Sequence, residues 1–206
     1  RFRSTGAAVG GEFRVNTFTT GNQGLGSVQF SGFSQGVGGP QVAMDADGDF
    51  VVAWTSAAQD GSGYGIYARV YDPAGVPKGN EFLVNTYTTN NQINPGVAMD
   101  ADGDFVVTWQ SYGQDGSGFG VYARRYNAAG VPQAAEFRAN SFTSGWQHRP
   151  SVAMRDDGAF VLAWMSYNQS GQEEDIYIRG YNASGAPVAA EARVNTQTLG
   201  NQTNYN

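Results

Sequence analysis

A thirteen-residue segment occurs three times at a fixed spacing, and this repeat constrains the fold more than any other feature of the sequence. It runs from Val42 to Trp54, returns almost unchanged from Val97 to Trp109, and returns in altered form from Val152 to Trp164. The copies start 55 residues apart. A fixed period of about this size is typical of stacked or radially arranged modules, each of which buries its core against its neighbours.

A second repeated segment shows where the regular spacing is interrupted. Glu-Phe-Leu-Val-Asn-Thr at residues 81–86 has counterparts at 136–141 and 191–196, again 55 residues apart, but its first copy at 12–17 lies 69 residues upstream. Fourteen extra residues therefore separate the first copy from the module that follows it. These residues are rich in glycine, and the sequence predicts an insertion loop over residues 18–39.

Each module predicts four antiparallel strands in sequence order. In the middle copy, residues 95–99 form a short strand, and Asp102-Gly103 favours the positive φ angles of a tight hairpin. Residues 105–111 are rich in β-branched and aromatic side chains and predict a central strand. Residues 120–126 alternate across a third strand, and residues 136–140 complete the module.

Four short strands per module predict an all-β fold, a β-propeller-like array of four-stranded antiparallel blades. A β-solenoid is the competing layout, but its rungs usually take fewer residues and need no hairpin at each Asp-Gly. The predicted units are a tail and last strand of a preceding blade (1–17), the insertion loop (18–39), blade 1 (40–86), blade 2 (87–141), and blade 3 with a C-terminal extension (142–206).

Three blades cannot close a ring, because propellers typically contain four to eight. We therefore expect either a longer array or closure between copies of the chain. The sequence begins at Arg1, without an initiating Met or a signal-peptide pattern, which predicts a mature or trimmed piece.

Composition excludes several classes of function. The 206 residues include no cysteine, so disulfides and thiolate metal sites are excluded. A net charge of −6 with only 12 Lys and Arg disfavours nucleic acid and anionic membrane surfaces as partners. No apolar run is long enough for a membrane span. An acidic chain rich in Gly and poor in Lys suggests a bacterial protein at the outer cell surface, outside the cell or in the periplasm.

Three motifs carry a resemblance to a known class of repeats. They are the segment at 42–54, Gln-Asp-Gly-Ser-Gly-Phe-Gly-Val-Tyr-Ala-Arg at 114–124, and the segment starting at Glu81. Together they resemble repeats of large secreted bacterial surface proteins of the adhesin and hemolysin-type-export kind, which are often calcium-associated. The resemblance implies an extracellular array of propeller-like blades and does not imply an enzyme. The Asp-Gly hairpin is also similar to the Asp-box turn of sialidase-like propellers and to calcium loops of integrin-type blades, although the spacing matches neither fully.

Alternating carboxylates in the first two modules are candidate calcium ligands. Carboxylate oxygens that converge on a tight turn suit a hard cation such as Ca²⁺. The alternative is that Asp and Gly serve only as turn residues. In the third module Arg155 replaces the first carboxylate while Asp157-Gly158 remains, which favours the structural turn. The candidate ligands are Asp45, Asp47, Asp49, Asp100, Asp102 and Asp104.

The aromatic residues divide into two predicted groups. Trp54, Trp109 and Trp164 recur within apolar strands and predict core or inter-blade packing. Other aromatic residues near loops are candidate contacts for a glycan or a partner protein, with packing between blades as the alternative. These candidates are Phe30, Phe33, Tyr64, Tyr112, Phe119, Trp146 and Tyr167.

No catalytic residue is predicted. His148, the single histidine, is interpreted as a surface loop residue, because no Ser or Cys partner stands in a recognisable elbow. The acidic run Glu173-Glu174-Asp175 is interpreted as a solvated loop rather than half of a catalytic carboxylate pair.

The predicted function is a non-enzymatic extracellular scaffold that presents residues 18–39 and 168–175 to a protein partner, or that self-associates. The alternatives are a carbohydrate-binding propeller and an accessory subunit on the outer face of a larger complex. A hydrolase of sialidase-like shape is the least favoured, because Arg124, Arg125 and Arg149 do not form a recurring set.

Overall fold

The described part of the chain forms three four-stranded antiparallel sheets and one two-stranded hairpin. A computed structural model describes residues 5–7, 10–24, 26–30, 33–171 and 173–196, without the side chain of Phe33. The strands are β1 (Ser27–Phe30), β2 (Phe33–Gly36), β3 (Gln41–Met44), β4 (Phe50–Ala57), β5 (Tyr64–Tyr71), β6 (Phe82–Leu83), β7 (Gln92–Met99), β8 (Phe105–Tyr112), β9 (Phe119–Tyr126), β10 (Phe137–Arg138), β11 (Gln147–Met154), β12 (Phe160–Tyr167), β13 (Glu174–Tyr181) and β14 (Ala192–Arg193). Within the described ranges, no helix has the length and hydropathy needed to cross a membrane.

Each sequence module is one blade. Blade 1 contains β3 to β6, blade 2 contains β7 to β10, and blade 3 contains β11 to β14, with neighbouring strands in sequence order. The predicted all-β, propeller-like array of four-stranded antiparallel blades is confirmed. The two long central strands of each blade pair over their full length, as in blade 2 from Phe105 with Tyr126 to Tyr112 with Phe119.

The core lies between the blades. Small and branched side chains on one blade, such as Val51 and Ile66, pack against aromatic side chains of the next blade, such as Phe105 and Trp109. The same arrangement recurs between blades 2 and 3, where Trp164 packs against the face of blade 2. Each blade thus buries the apolar face that it could not bury alone, as the repeat predicts.

A repeated polar contact fixes the outer edge of each interface. Nη1 of Arg124 and the hydroxyl of Tyr126 both donate to the carbonyl of Val84 in blade 1, at 3.1 Å each. Glu136 accepts the backbone N–H of Thr86 at 2.5 Å. Burial raises the pKa of Tyr126 to about 12, so its hydroxyl remains a donor well above neutral pH.

The arginine and glutamate bonds of this contact recur between blades 2 and 3, where Arg179 donates to the carbonyl of Ala139 at 3.1 Å and Glu191 accepts the N–H of Ser141 at 2.6 Å. The arginine therefore does recur with the module, at positions 69, 124 and 179. Arg124, Arg125 and Arg149, which form no recurring set in the sequence, include only one member of this series.

The N-terminal segment makes the same contact on blade 1. Arg69 and Tyr71 both donate to the carbonyl of Val15 at 3.2 Å, and Glu81 accepts the N–H of Thr17 at 2.6 Å. Residues 12–17 therefore contact blade 1 in the same way that residues 81–86, at the end of blade 1, contact blade 2.

The insertion is not only a loop. Residues 27–30 and 33–36 form the hairpin of β1 and β2, which differs from the predicted loop over 18–39. Val28 and Phe30 alternate with exposed residues, and they pack against blade 2. The segment has no counterpart in the other modules. Its many glycines also make the short alternation of buried and exposed residues hard to recognise in the sequence.

We expect Tyr126→Phe to lower the free energy of unfolding by about 1 kcal/mol, because the carbonyl of Val84 loses one of its two donors. For a chain of this size the melting midpoint should fall by roughly 2–4 °C. The control is Tyr167→Phe, since Tyr167 is exposed. Equal midpoints for both variants in urea and thermal melts would show that the hydroxyl adds no stability to the interface.

Candidate functional site

The inner strands of the three blades border a polar cavity. Its volume is about 430 Å³, and its lining comes from residues 35, 36, 38, 39 and 41, from 94–97 and from 149–152, where β3, β7 and β11 begin. Cavities of this volume suit a small-molecule ligand. All three blades and the insertion contribute to it, so the packing of the blades determines its shape.

Two rim residues of the cavity have an unusual backbone conformation. Asn94 has φ 57° and Arg149 has φ 52°. Each precedes a proline at a β-bulge near the start of its strand. A left-handed conformation is rare for a residue other than glycine, and for Arg it costs of order 1–3 kcal/mol. Such strain persists only where the surroundings hold the residue, and it is concentrated at functional sites.

A buried amide holds both rim residues. Oε1 of Gln110, on β8, accepts Nδ2 of Asn94 at 3.0 Å and the backbone N–H of Arg149 at 2.8 Å. The N–H of Asn94 in turn donates to the carbonyl of Val37 at 3.1 Å, and this carbonyl also accepts the hydroxyl of Thr55 at 2.9 Å. One chain of hydrogen bonds therefore joins blade 1, the insertion, blade 2 and blade 3 around the cavity.

The lining of the cavity can bind a polar ligand. The lining includes Gln35, Gln41, Asn94, Ser151 and Arg149, which carry amide, hydroxyl and guanidinium groups. Among the described residues, the lining includes no carboxylate. The chemistry available is hydrogen bonding to hydroxyl and carbonyl groups rather than acid–base catalysis by the lining itself.

Most of the candidate aromatic residues pack together instead of lining the cavity. Phe30 of the hairpin lies against Tyr112, Phe119 and Trp146, with ring centroids 4.6, 5.1 and 5.7 Å away. Phe119 is completely buried, and Tyr64 packs against the same cluster. These five side chains hold the hairpin against the blades.

The two remaining aromatic candidates lie outside that cluster. Tyr167 is exposed and is the candidate best placed to meet a ligand in solution. The side chain of Phe33 lies outside the described part of the chain.

The interpretation of His148 as a surface residue is wrong. His148 is 1% exposed, and its Nε2 lies 2.9 Å from Oε1 of Glu174, at the start of β13. The acidic run is not a solvated loop either, because Glu174 and Asp175 are both buried. The pair occupies in blade 3 the positions that Ile93 and Phe119 occupy in blade 2, 55 residues earlier.

The register of the repeat would have placed the His148–Glu174 pair in the core. The polar residue types favoured the surface interpretation instead. The contact between Nε2 of His148 and Oε1 of Glu174 pairs the two side chains and offsets part of the cost of burying them.

Two of the three candidate carboxylates of blade 1 bind protein groups. Oδ1 of Asp45 accepts the N–H groups of Gly48 and Asp49 at 2.8 and 2.9 Å. Asp49 forms an ion pair with Lys78, and Asp47 is exposed.

The turn of blade 2 has a similar arrangement. Oδ1 of Asp100 accepts the N–H groups of Asp102 and Asp104 at 3.1 and 2.9 Å, and Asp104 binds Nε2 of Gln133 at 2.6 Å. Among the residues that the structure describes, no group of three His, Cys, Asp or Glu side chains could hold a metal ion. Calcium binding at these turns stays a prediction.

Comparison with known proteins finds similar solved structures but no matching family. No protein-family model and no curated protein matches the sequence. Among solved structures, an endo-arabinase from Bacteroides thetaiotaomicron is similar with a TM-score of 0.48 and 16% identity, over 79% of this chain and 63% of that chain. An alpha-L-arabinofuranosidase from Lactobacillus brevis is similar with a TM-score of 0.48 and 11% identity, over 75% and 53%. The chain spans less than two thirds of either enzyme.

A smaller protein is similar over nearly its whole length. A fucose lectin from Kordia zhangzhouensis, in complex with methyl-fucoside, has a TM-score of 0.41 and 12% identity, over 76% of this chain and 97% of the lectin. Glycoside hydrolases and a lectin are thus among the similar structures, and the resemblance to adhesin repeats stays a prediction.

These comparisons contradict two predictions. The chain was expected to be no enzyme and to serve as a non-enzymatic scaffold, whereas the similar structures are mainly glycoside hydrolases. The likeness at 11–16% identity is one of fold, so no catalytic residue is transferred from it.

The buried turn carboxylate generates a pH-dependent prediction. Burial raises the pKa of Asp100 above its ordinary value of 3.8. Protonated Asp100 therefore stabilises the fold below its unfolded pKa, and this stabilisation is lost as the pH rises through the folded pKa. Asp100→Asn keeps the oxygen acceptor and removes the charge, so we expect a higher melting midpoint than the parent at about pH 7 and an equal one at about pH 3.

The control for this experiment is Asp47→Asn, because Asp47 is exposed. The same melts with added calcium test the turn as a metal site, since a ligand that binds only the folded chain raises the midpoint. A calcium-dependent rise that Asp100→Asn abolishes would show that the turn binds the ion.

Proposed function

We propose that the chain binds carbohydrate in the cavity between β3, β7 and β11. The observation that carries the proposal is the rim, in which Gln110 fixes Asn94 and Arg149 beside a cavity of about 430 Å³. Sugars present hydroxyl groups that both donate and accept hydrogen bonds. Amide, hydroxyl and guanidinium groups supply matching partners.

The rigidity of the rim supports this proposal. A ligand that binds to groups already in place loses less affinity to the ordering of side chains and loops. Asn94 and Arg149 have strained backbones held by hydrogen bonds from the blades and the insertion, so their positions are set before a ligand arrives. Carbohydrate is also the class of ligand named for the structures of similar fold, although the proposal rests on the cavity itself.

Other expectations stay predictions beside this one. An outer-surface, extracellular or periplasmic location agrees with glycan binding but depends on composition alone. Association with a protein partner or with further copies also remains untested, as does calcium.

We expect Asn94→Ala and Arg149→Ala each to weaken glycan binding about tenfold or more, because each removes a hydrogen bond worth roughly 1–3 kcal/mol at a ligand. A glycan array would identify the ligand, and titration calorimetry would measure its affinity. Arg155→Ala is the matched control, since the side chain of Arg155 is 77% exposed on another turn.

Two results would contradict the proposal. One is an array on which the full chain binds no glycan, and the other is a ligand whose affinity neither rim substitution changes. Chromatography of the bound glycan after incubation would separate binding from hydrolysis.

A further inference from the structure

We infer that Gln110 is a positioning residue of this site, an inference that rests on the proposed carbohydrate function. It does not line the cavity, but it binds two residues that do. A ligand would therefore depend on Gln110 without touching it.

The orientation of the Gln110 amide is determined by its partners. The oxygen and nitrogen of a carboxamide look alike, so the hydrogen-bond network must distinguish them. The backbone N–H of Arg149 can only donate, and it lies 2.8 Å from the Gln110 oxygen position. The Oε1 atom must therefore face Arg149, and the amide of Asn94 must present its NH₂ group to the same atom.

In this orientation the nitrogen of the completely buried Gln110 amide is left without a hydrogen-bond partner among the described residues. A buried donor without a partner costs about 1–3 kcal/mol. The two hydrogen bonds that Oε1 accepts from Asn94 and Arg149 offset this cost, so the contribution of Gln110 lies with the rim residues that its oxygen holds.

The repeat shows that an apolar side chain fits at this register. The position is Thr55 in blade 1, Gln110 in blade 2 and Met165 in blade 3. Gln110 pairs with Ile93 across the inner strands, as Met165 pairs with His148. Methionine is close to glutamine in shape, so Gln110→Met should fold while losing the acceptor for both rim residues.

The expected consequence is a looser rim. Without Oε1, the N–H of Arg149 loses its acceptor, and the strained backbones of Arg149 and Asn94 lose one of the contacts that hold them. A ligand would then have to order these residues as it binds, which lowers its affinity.

The test compares Gln110→Met with Thr108→Val in the full chain. Thr108 is also buried on β8 and donates to the carbonyl of Tyr122 at 2.9 Å, so the control removes a buried hydrogen bond from the same strand and leaves the rim intact. We expect Gln110→Met to weaken binding of the array-identified glycan at least tenfold and to speed amide exchange at Arg149, with a melting midpoint no lower than that of the control. Thr108→Val should change neither binding nor exchange at Arg149.

A double-mutant cycle adds a measure that a general loss of stability would not affect. If Gln110 positions Asn94, then Asn94→Ala should cost less affinity in the Gln110→Met background than in the parent chain. Parental affinity together with parental exchange at Arg149 in Gln110→Met would overturn the inference. If the parent chain binds no glycan, the proposed function fails, and the exchange measurement alone then decides whether Gln110 holds the rim.

Discussion

The outer contact between blades is the interaction on which the rest of the structure depends. Between blades 1 and 2, the carbonyl of Val84 accepts hydrogen bonds from both Arg124 and Tyr126. Each bond is worth only about 1 kcal/mol. Their importance is geometric, because they fix how far each blade is rotated from its neighbour and bring the apolar faces into contact. The aromatic core between blades then supplies most of the stabilisation.

The cavity at the inner ends is a consequence of this packing. Blades fixed at their outer edges and packed through their middles leave space where β3, β7 and β11 begin. Residues that border this space are not required to fill it, so polar residues such as Asn94 and Arg149 can occupy these positions. The hydrogen bonds from Thr55 through Val37 and Asn94 to Gln110 stabilise the rim of this space.

The repeat made the blades predictable, because a 55-residue period fixes which residue of each module stands where. The same period would have placed His148 and Glu174 in the core, but their polar types suggested the surface. The hairpin at residues 27–36 had no counterpart from which to infer it. The bond from Gln110 to Arg149 could not be predicted, since it joins two blades and depends on a bulge that only the folded backbone shows.

Comparison of the three modules separates the residues that build the fold from those that distinguish the blades. The arginine of the outer contact is the same in every blade, at positions 69, 124 and 179. The inner positions differ, with Thr55, Gln110 and Met165 at one register and Ile93 replaced by His148 at another. A symmetric scaffold needs identical contacts, whereas a site for an asymmetric ligand needs different groups at equivalent positions. The register of Thr55, Gln110 and Met165 meets this condition, since Thr55 and Gln110 hold different parts of the rim of the cavity.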